Sequence, residues 1–139
     1  MPATSLSDER RTNLWDRIGM SLSGICLVHC LVFPIALALL PLWPVFDDVH
    51  AWLHPVFAVL ILPTTLFAMA RGRKMHGRRD VQWLLGVGVA IIVVSGFLGH
   101  EMPGALSETA VTVSGSLLLI AGHWRNWRAG HACHTPVHA

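Results

Sequence analysis

The 139-residue chain is 53% hydrophobic and 13% charged, with ten Lys and Arg against eight Asp and Glu, a net charge of +2 and a mean hydropathy of +0.55. A soluble domain carries about 25% charged residues, so the polar surface is about half what water solubility requires and the chain reads as lipid-embedded. The balanced charge excludes a nucleic-acid binder, three Cys without disulfide-like spacing exclude a stapled secreted scaffold, and the length leaves room for one domain only, 1–139.

Residues 1–15 are polar, with Asp8, Glu9, Arg10 and Arg11, and read as an N-terminal tail or short surface helix. The first apolar block covers 18–40; Pro41 and Pro44 are expected to close it and Pro34 to kink it, because proline cannot continue a helix. Further apolar blocks cover 51–70, 81–99 and 109–124. Each is near the ~20 residues that cross a bilayer. Their β-branched residues and glycines would allow strands by period, but unpaired strands cannot cross lipid. The expected fold is all-α, an integral membrane bundle of four transmembrane helices over 16–124, followed by a His/Cys tail at 125–139. Arg10, Arg11 and Arg17 ahead of an apolar run that holds Ala36-Leu37-Ala38 imitate a signal peptide; the first helix is expected to be retained.

The basic residues set the orientation. Arg10, Arg11 and Arg17 precede the first block; Arg71, Arg73, Lys74, Arg78 and Arg79 join the second and third; Arg125 and Arg128 follow the fourth. All of them fall on one side, which the positive-inside rule makes the cytoplasm, so both termini are expected there. The two opposite loops hold Asp47, Asp48, His50, Glu101 and Glu108 without a basic residue.

Three groups of residues suggest chemistry. Cys26, His29 and Cys30 stand at i, i+3 and i+4, so two thiols and an imidazole share one helix face, with Gly19 and Ser23 on it and Asp16 at its edge. Asp16 to Cys26 is a rise of about 15 Å, which puts the trio near mid-membrane, a depth where an ionisable group is costly and usually functional. Two thiolates and an imidazole suit Hg(II), Zn(II) or Cu(I), and three ligands leave a coordination position open for an ion in transit. At the outer end, His50 and His54 at i, i+4 could grip one ion, with His100, Glu101 and Glu108 drawing cations to the mouth. In the tail, His131, Cys133, His134 and His138 could accept an ion from the membrane path. Glu108, Thr112, Gly115 and Gly122/His123 form a polar or small stripe along the fourth helix, of the kind that also serves close helix packing.

Asp16-x-x-Gly19-x-x-x-Ser23-x-x-Cys26-x-x-His29-Cys30-Leu31-x-x-Pro34, the Glu108-Thr109 opening of the fourth helix and Gly122-His123-x-x-Asn126 after it resemble the MerC-like family of small four-helix membrane proteins. The likeness runs over about residues 14–133. It implies a bacterial inner-membrane, multi-pass protein that takes up mercuric ion and hands it to a cytoplasmic metal acceptor, a reductase in the family. The family's membrane thiols match Cys26 and Cys30, and one tail thiol matches Cys133. Two departures from the family pattern stand out: here the membrane thiols are i and i+4 with His29 between them, and the tail has one Cys flanked by His131 and His134. Exchange of sulfur for imidazole shifts preference toward borderline ions such as Zn(II).

The expected function is a relay that passes Hg(II) or Zn(II) from His50, His54, His100, Glu101 and Glu108 to Cys26, His29 and Cys30 and on past His123 to Cys133 and His134. No permanent cofactor and no enzymatic activity are expected, and a homodimer is compatible with so thin a wall. Three alternatives remain open: a membrane thiol oxidoreductase, since i, i+4 Cys lie within disulfide range; a haem protein, to which only His29 offers a mid-membrane imidazole; and a non-transporting metal-sensing accessory protein.

Overall fold

A computed structural model describes residues 4–39, 43–98 and 105–132, with side chains from residue 14 onward except at 34, 37, 38, 43–51 and 105–107. Four helices account for these residues apart from a short turn at 76–78: α1 (Thr4–Leu39), α2 (Trp43–Met75), α3 (Arg79–Leu98) and α4 (Ala105–Ala132).

The helices are longer than the apolar blocks. From Thr4 to Ile18 there is no Gly or Pro to interrupt a helix, so the polar segment expected as a tail or short surface helix is the first part of α1 itself. Pro44 does not merely close what precedes it. It occupies the first turn of α2, where a missing N–H leaves no helical bond unmade and a fixed φ suits the helix. Pro55 and Pro63 lie inside α2; each removes one backbone bond, a loss that packed neighbours offset in membrane helices. The end of α2 is a glycine cap: Gly77 has φ +61, and the His76 and Gly77 amides both donate to the Gly72 carbonyl at 3.0 and 3.1 Å. Asp80 then favours the N-terminus of α3.

Successive helices run antiparallel and pack on their chain neighbours, and α4 closes the ring on α1. Glycines bring α3 and α4 close: a Cβ at Gly88 would lie 2.9 Å from Leu119 Cγ, and one at Gly122 2.8 Å from Leu85 Cδ2. Around the outside, Ile25, Val28, Val32, Val59, Phe67 and Val94 are exposed, while Asp16, Ser23, Thr65, Ser116, His123 and Asn126 are buried. A soluble bundle would reverse that pattern; an apolar coat around a polar interior suits lipid.

Among the described residues, three segments, Leu14–Phe33, Trp52–Met75 and Arg79–Leu98, are long and apolar enough to cross a membrane. The expectation of a fourth span rests on α4. Its 28 residues extend about 42 Å, long enough to cross a bilayer, and it turns Thr112, Ser116, His123 and Asn126 inward.

Candidate functional site

On α1, Asp16, Gly19, Ser23, Cys26 and Cys30 follow one another at steps of three and four, and all are buried. This face meets Thr112, Ser116, His123 and Asn126 of α4 and His54 and Thr65 of α2, which are buried as well. The result is a polar seam along the bundle interior.

At one end, His54 Nδ1 lies 2.8 Å from Glu108 Oε1, and His54 Nε2 lies 3.9 Å from Cys30 Sγ. With Nδ1–H donated to the carboxylate, Nε2 is the acceptor that faces the thiol. Cys26 lies one turn before Cys30 on the same buried face. A string therefore runs Glu108, His54, Cys30, Cys26, from the start of α4 to the middle of α1. The Thr112 hydroxyl, one turn along α4, donates back to the Glu108 carbonyl at 2.8 Å.

At the other end sits a denser network. Asp16 Oδ1 accepts from His123 Nδ1 at 3.0 Å and from Asn126 Nδ2 at 3.0 Å, and Asp16 Oδ2 accepts from Asn126 Nδ2 at 2.9 Å. His123 Nε2 is 3.4 Å from the Thr65 hydroxyl, which donates to it. The Arg78 amide donates to His76 Nδ1 at 3.2 Å, so His76 Nε2 carries the proton that Asn126 Oδ1 accepts at 3.0 Å. The His123 imidazole fits because residue 19 is glycine; a Cβ there would run into the ring.

Between the two ends, the hydroxyls of Ser23 and Ser116 are buried without a hydrogen-bond partner. Two unmatched hydroxyls beside Cys26 are polar groups aimed into the seam, where an unpaired one costs about 1–3 kcal/mol. Among the described residues no three His, Cys, Asp or Glu side chains gather into a metal-holding group. What the interior offers a soft ion is the pair of buried free thiols, Cys26 and Cys30.

This ordered set of residues lies within a family-level match: residues 16–128 match the MerC mercury resistance protein family. The chain belongs to that family. Neither a curated protein nor a solved structure matches it. The MerC match begins at Asp16, takes in Cys26, His29, Cys30, His54, Glu108, His123 and Asn126, and ends before Cys133 and His134. Membership makes this a membrane-associated protein of mercury resistance, in agreement with its three apolar spans.

The structure brings some sequence-derived candidates together and not others. Cys26 and Cys30 share the seam. His29 is only half-buried and turns toward α2, with ring centroids 4.8 Å from Phe33 and 6.1 Å from both Phe57 and His54. Of the outer group, His54 and Glu108 are in contact, whereas the His50 side chain, His100 and Glu101 lie outside the described residues. His123 is joined to Asp16 at the opposite end. His131 closes α4 with its ring 4.8 Å from Trp127, and Cys133, His134 and His138 lie outside the described residues. Sequence reasoning named Asn126 only within the Gly122-His123-x-x-Asn126 motif and gave His76 and Thr65 no role; that motif and the small and polar stripe on α4 were the available signals.

Proposed function

We propose that this MerC protein carries mercuric ion across the membrane along the seam between α1, α2 and α4, with Cys26 and Cys30 as the thiolate pair that holds it midway. The observation that carries this reading is the place of the two buried thiols between Glu108–His54 on one side and Asp16–His123–Asn126 on the other. Hg(II) is soft and is well satisfied by two thiolates, whereas Zn(II) favours four donors. The pair therefore favours mercury, with His54 and His29 as neighbouring nitrogen donors that would admit Zn(II) more weakly. Each S–Hg bond forms as one incoming ligand leaves mercury and the thiol proton departs.

The direction follows from charge. All Lys and Arg flank one end of the bundle, which the positive-inside rule assigns to the cytoplasm. The ion then arrives at the end that holds Glu108 and His54, where His50, His100 and Glu101 also belong by sequence, and leaves past His123 toward Cys133, His134 and a cytoplasmic metal acceptor. In this reading α4 crosses the bilayer with its antiparallel partner α3, its polar face sheltered by α1 and α2. One chain encloses the seam, so a homodimer is not required for passage.

Uptake of radiolabelled Hg(II) into cells that carry the wild-type protein, Cys26→Ser or Cys30→Ser tests the reading. A Ser hydroxyl fits the space of a thiol but is a poor soft ligand. Both variants should insert normally and lose uptake to the level of cells without the protein. Wild-type uptake by both would remove the thiol pair from the mechanism. Intact mass after alkylation in native membranes separates the oxidoreductase alternative, which requires a resting Cys26–Cys30 disulfide that blocks both thiols.

A further inference from the structure

The turn between α2 and α3 shapes a feature unrelated to the thiols. A groove of about 460 Å³ opens between the last turns of α2 and the first two turns of α3. Its walls change character with depth. At the lip stand Arg73 and Arg79, flanking Gly77. A turn deeper come Gln82 and Trp83, and the floor is Met69 with Gly86. From Arg79 to Gly86 the helix rises about 10 Å, so charged, hydrogen-bonding and apolar layers succeed one another over the depth at which a lipid passes from headgroup to acyl chain.

Four observations identify an occupant. Arg73 and Arg79 are exposed and neither pairs with an acid among the described residues; the carboxylate next to Arg79, Asp80, is held by Arg78 at 2.9 Å and Arg125 at 3.4 Å. Gln82 Nε2 donates to the Met69 carbonyl at 3.2 Å, which fixes the amide orientation and leaves Gln82 Oε1 buried without a partner, an acceptor in need of an O–H. The floor is open: a Cβ at Gly86 would meet nothing nearer than Met69 Cε at 3.7 Å. Trp83, 73% exposed beside Gln82, has the amphipathic indole that lies at headgroup level in membranes.

We infer that this groove binds one anionic glycerophospholipid, with phosphatidylglycerol as the chemistry that fits each layer. Its phosphate pairs with the Arg73 and Arg79 guanidiniums, a glycerol hydroxyl donates to Gln82 Oε1, and an acyl chain lies over Met69 and Gly86. A free phosphate would use the lip alone. Phosphatidylcholine would bring an ammonium toward two guanidiniums and no hydroxyl for Gln82.

Native mass spectrometry of the full chain in mild detergent, titrated with phosphatidylglycerol or phosphatidylcholine and with glycerol 3-phosphate as a soluble competitor, tests the inference. A basic residue near the membrane surface contributes about a factor of five in affinity for an anionic lipid, so two predict a preference for phosphatidylglycerol of about 25-fold. Arg73→Ala with Arg79→Ala should abolish the preference, Gln82→Leu should lower it severalfold, and Gly86→Leu, which fills the floor, should weaken both lipids. Lys74→Ala with Arg128→Ala removes the same charge at this end of the bundle without touching Arg78 or Asp80 and should leave the preference intact. Equal binding of the two lipids, equal loss in the Lys74/Arg128 control, or displacement by glycerol 3-phosphate would overturn the lipid assignment. The Gln82→Leu result stands independently if an arginine variant fails to fold, and none of these readouts depends on mercury transport.

Discussion

Gly19 and Gly24 lie on the same helix five positions apart, and the structure assigns opposite consequences to the same substitution. At Gly24 a Cβ would meet nothing within 4 Å, so Gly24→Ala should stabilise α1 by the ordinary helical advantage of alanine, about 0.5–1 kcal/mol. At Gly19 the new methyl would overlap the His123 imidazole, which is fully buried and pinned at both nitrogens, to Asp16 at 3.0 Å and to Thr65 at 3.4 Å. The ring cannot swing aside without loss of those bonds. Overpacking costs about 1–3 kcal/mol, and a buried donor pulled from its partner costs about 1–3 kcal/mol more. Against the alanine gain, Gly19→Ala should be destabilised by a net of about 2–4 kcal/mol, so the two variants should differ by roughly 3–5 kcal/mol. Reversible unfolding of the purified protein in mixed micelles with increasing SDS, followed by far-UV circular dichroism, measures both. If Gly19→Ala unfolds at the wild-type midpoint, or moves the same way as Gly24→Ala, then α1 and α4 do not approach through residue 19 and the inner network is wrongly drawn.

Asn126→Leu keeps the volume near Asp16 but removes both Nδ2 bonds to the carboxylate and the acceptor of His76; a loss of about 2–4 kcal/mol should appear in the same unfolding assay. Glu108→Gln retains an acceptor for His54 Nδ1 and should change stability by no more than about 1 kcal/mol, yet slow Hg(II) uptake severalfold at low external mercury because the mouth loses its carboxylate charge. A reporter active only outside the cytoplasm, fused after Ala139, should be silent, and activity there would reverse the proposed direction.

Much of α1 was legible because one helix face is a matter of period. Steps of three and four place Asp16, Gly19, Ser23, Cys26 and Cys30 together, and the structure buries them together. The same arithmetic shows why His29 stands apart: it lies about 100° from Cys30, whereas Cys26 and Cys30 are about 40° apart, so the thiols share the centre of the face and the imidazole turns toward Phe33 and Phe57. Partner choice across the bundle has no such rule. Asp16 and Asn126 are 110 positions apart, and nothing local to either announces the other. Helix ends were misjudged for a further reason, since apolar runs report lipid contact rather than helix length. Residues 4–13 and 43–50 continue their helices beyond the apolar blocks without adding to them.

The distribution of satisfied and unsatisfied polar groups is itself an argument for passage. A polar interior whose purpose was only to join helices would match its donors and acceptors throughout, because each unpaired buried group costs free energy and the apolar coat offers no water to relieve it. Here the side-chain bonds between helices gather toward the ends, where Glu108 holds His54 and where Asp16, His123, Asn126 and His76 complete one another. In the middle stand two thiols and the unpartnered hydroxyls of Ser23 and Ser116. The ends resist opening and the centre is left wanting a ligand. In the proposed transport, a cation that displaces the thiol protons gains sulfur bonds there and passes the Asp16–His123 pair on its way out. On that reading selectivity resides in the sulfur pair, and the rate of release in the carboxylate and imidazole at the inner end.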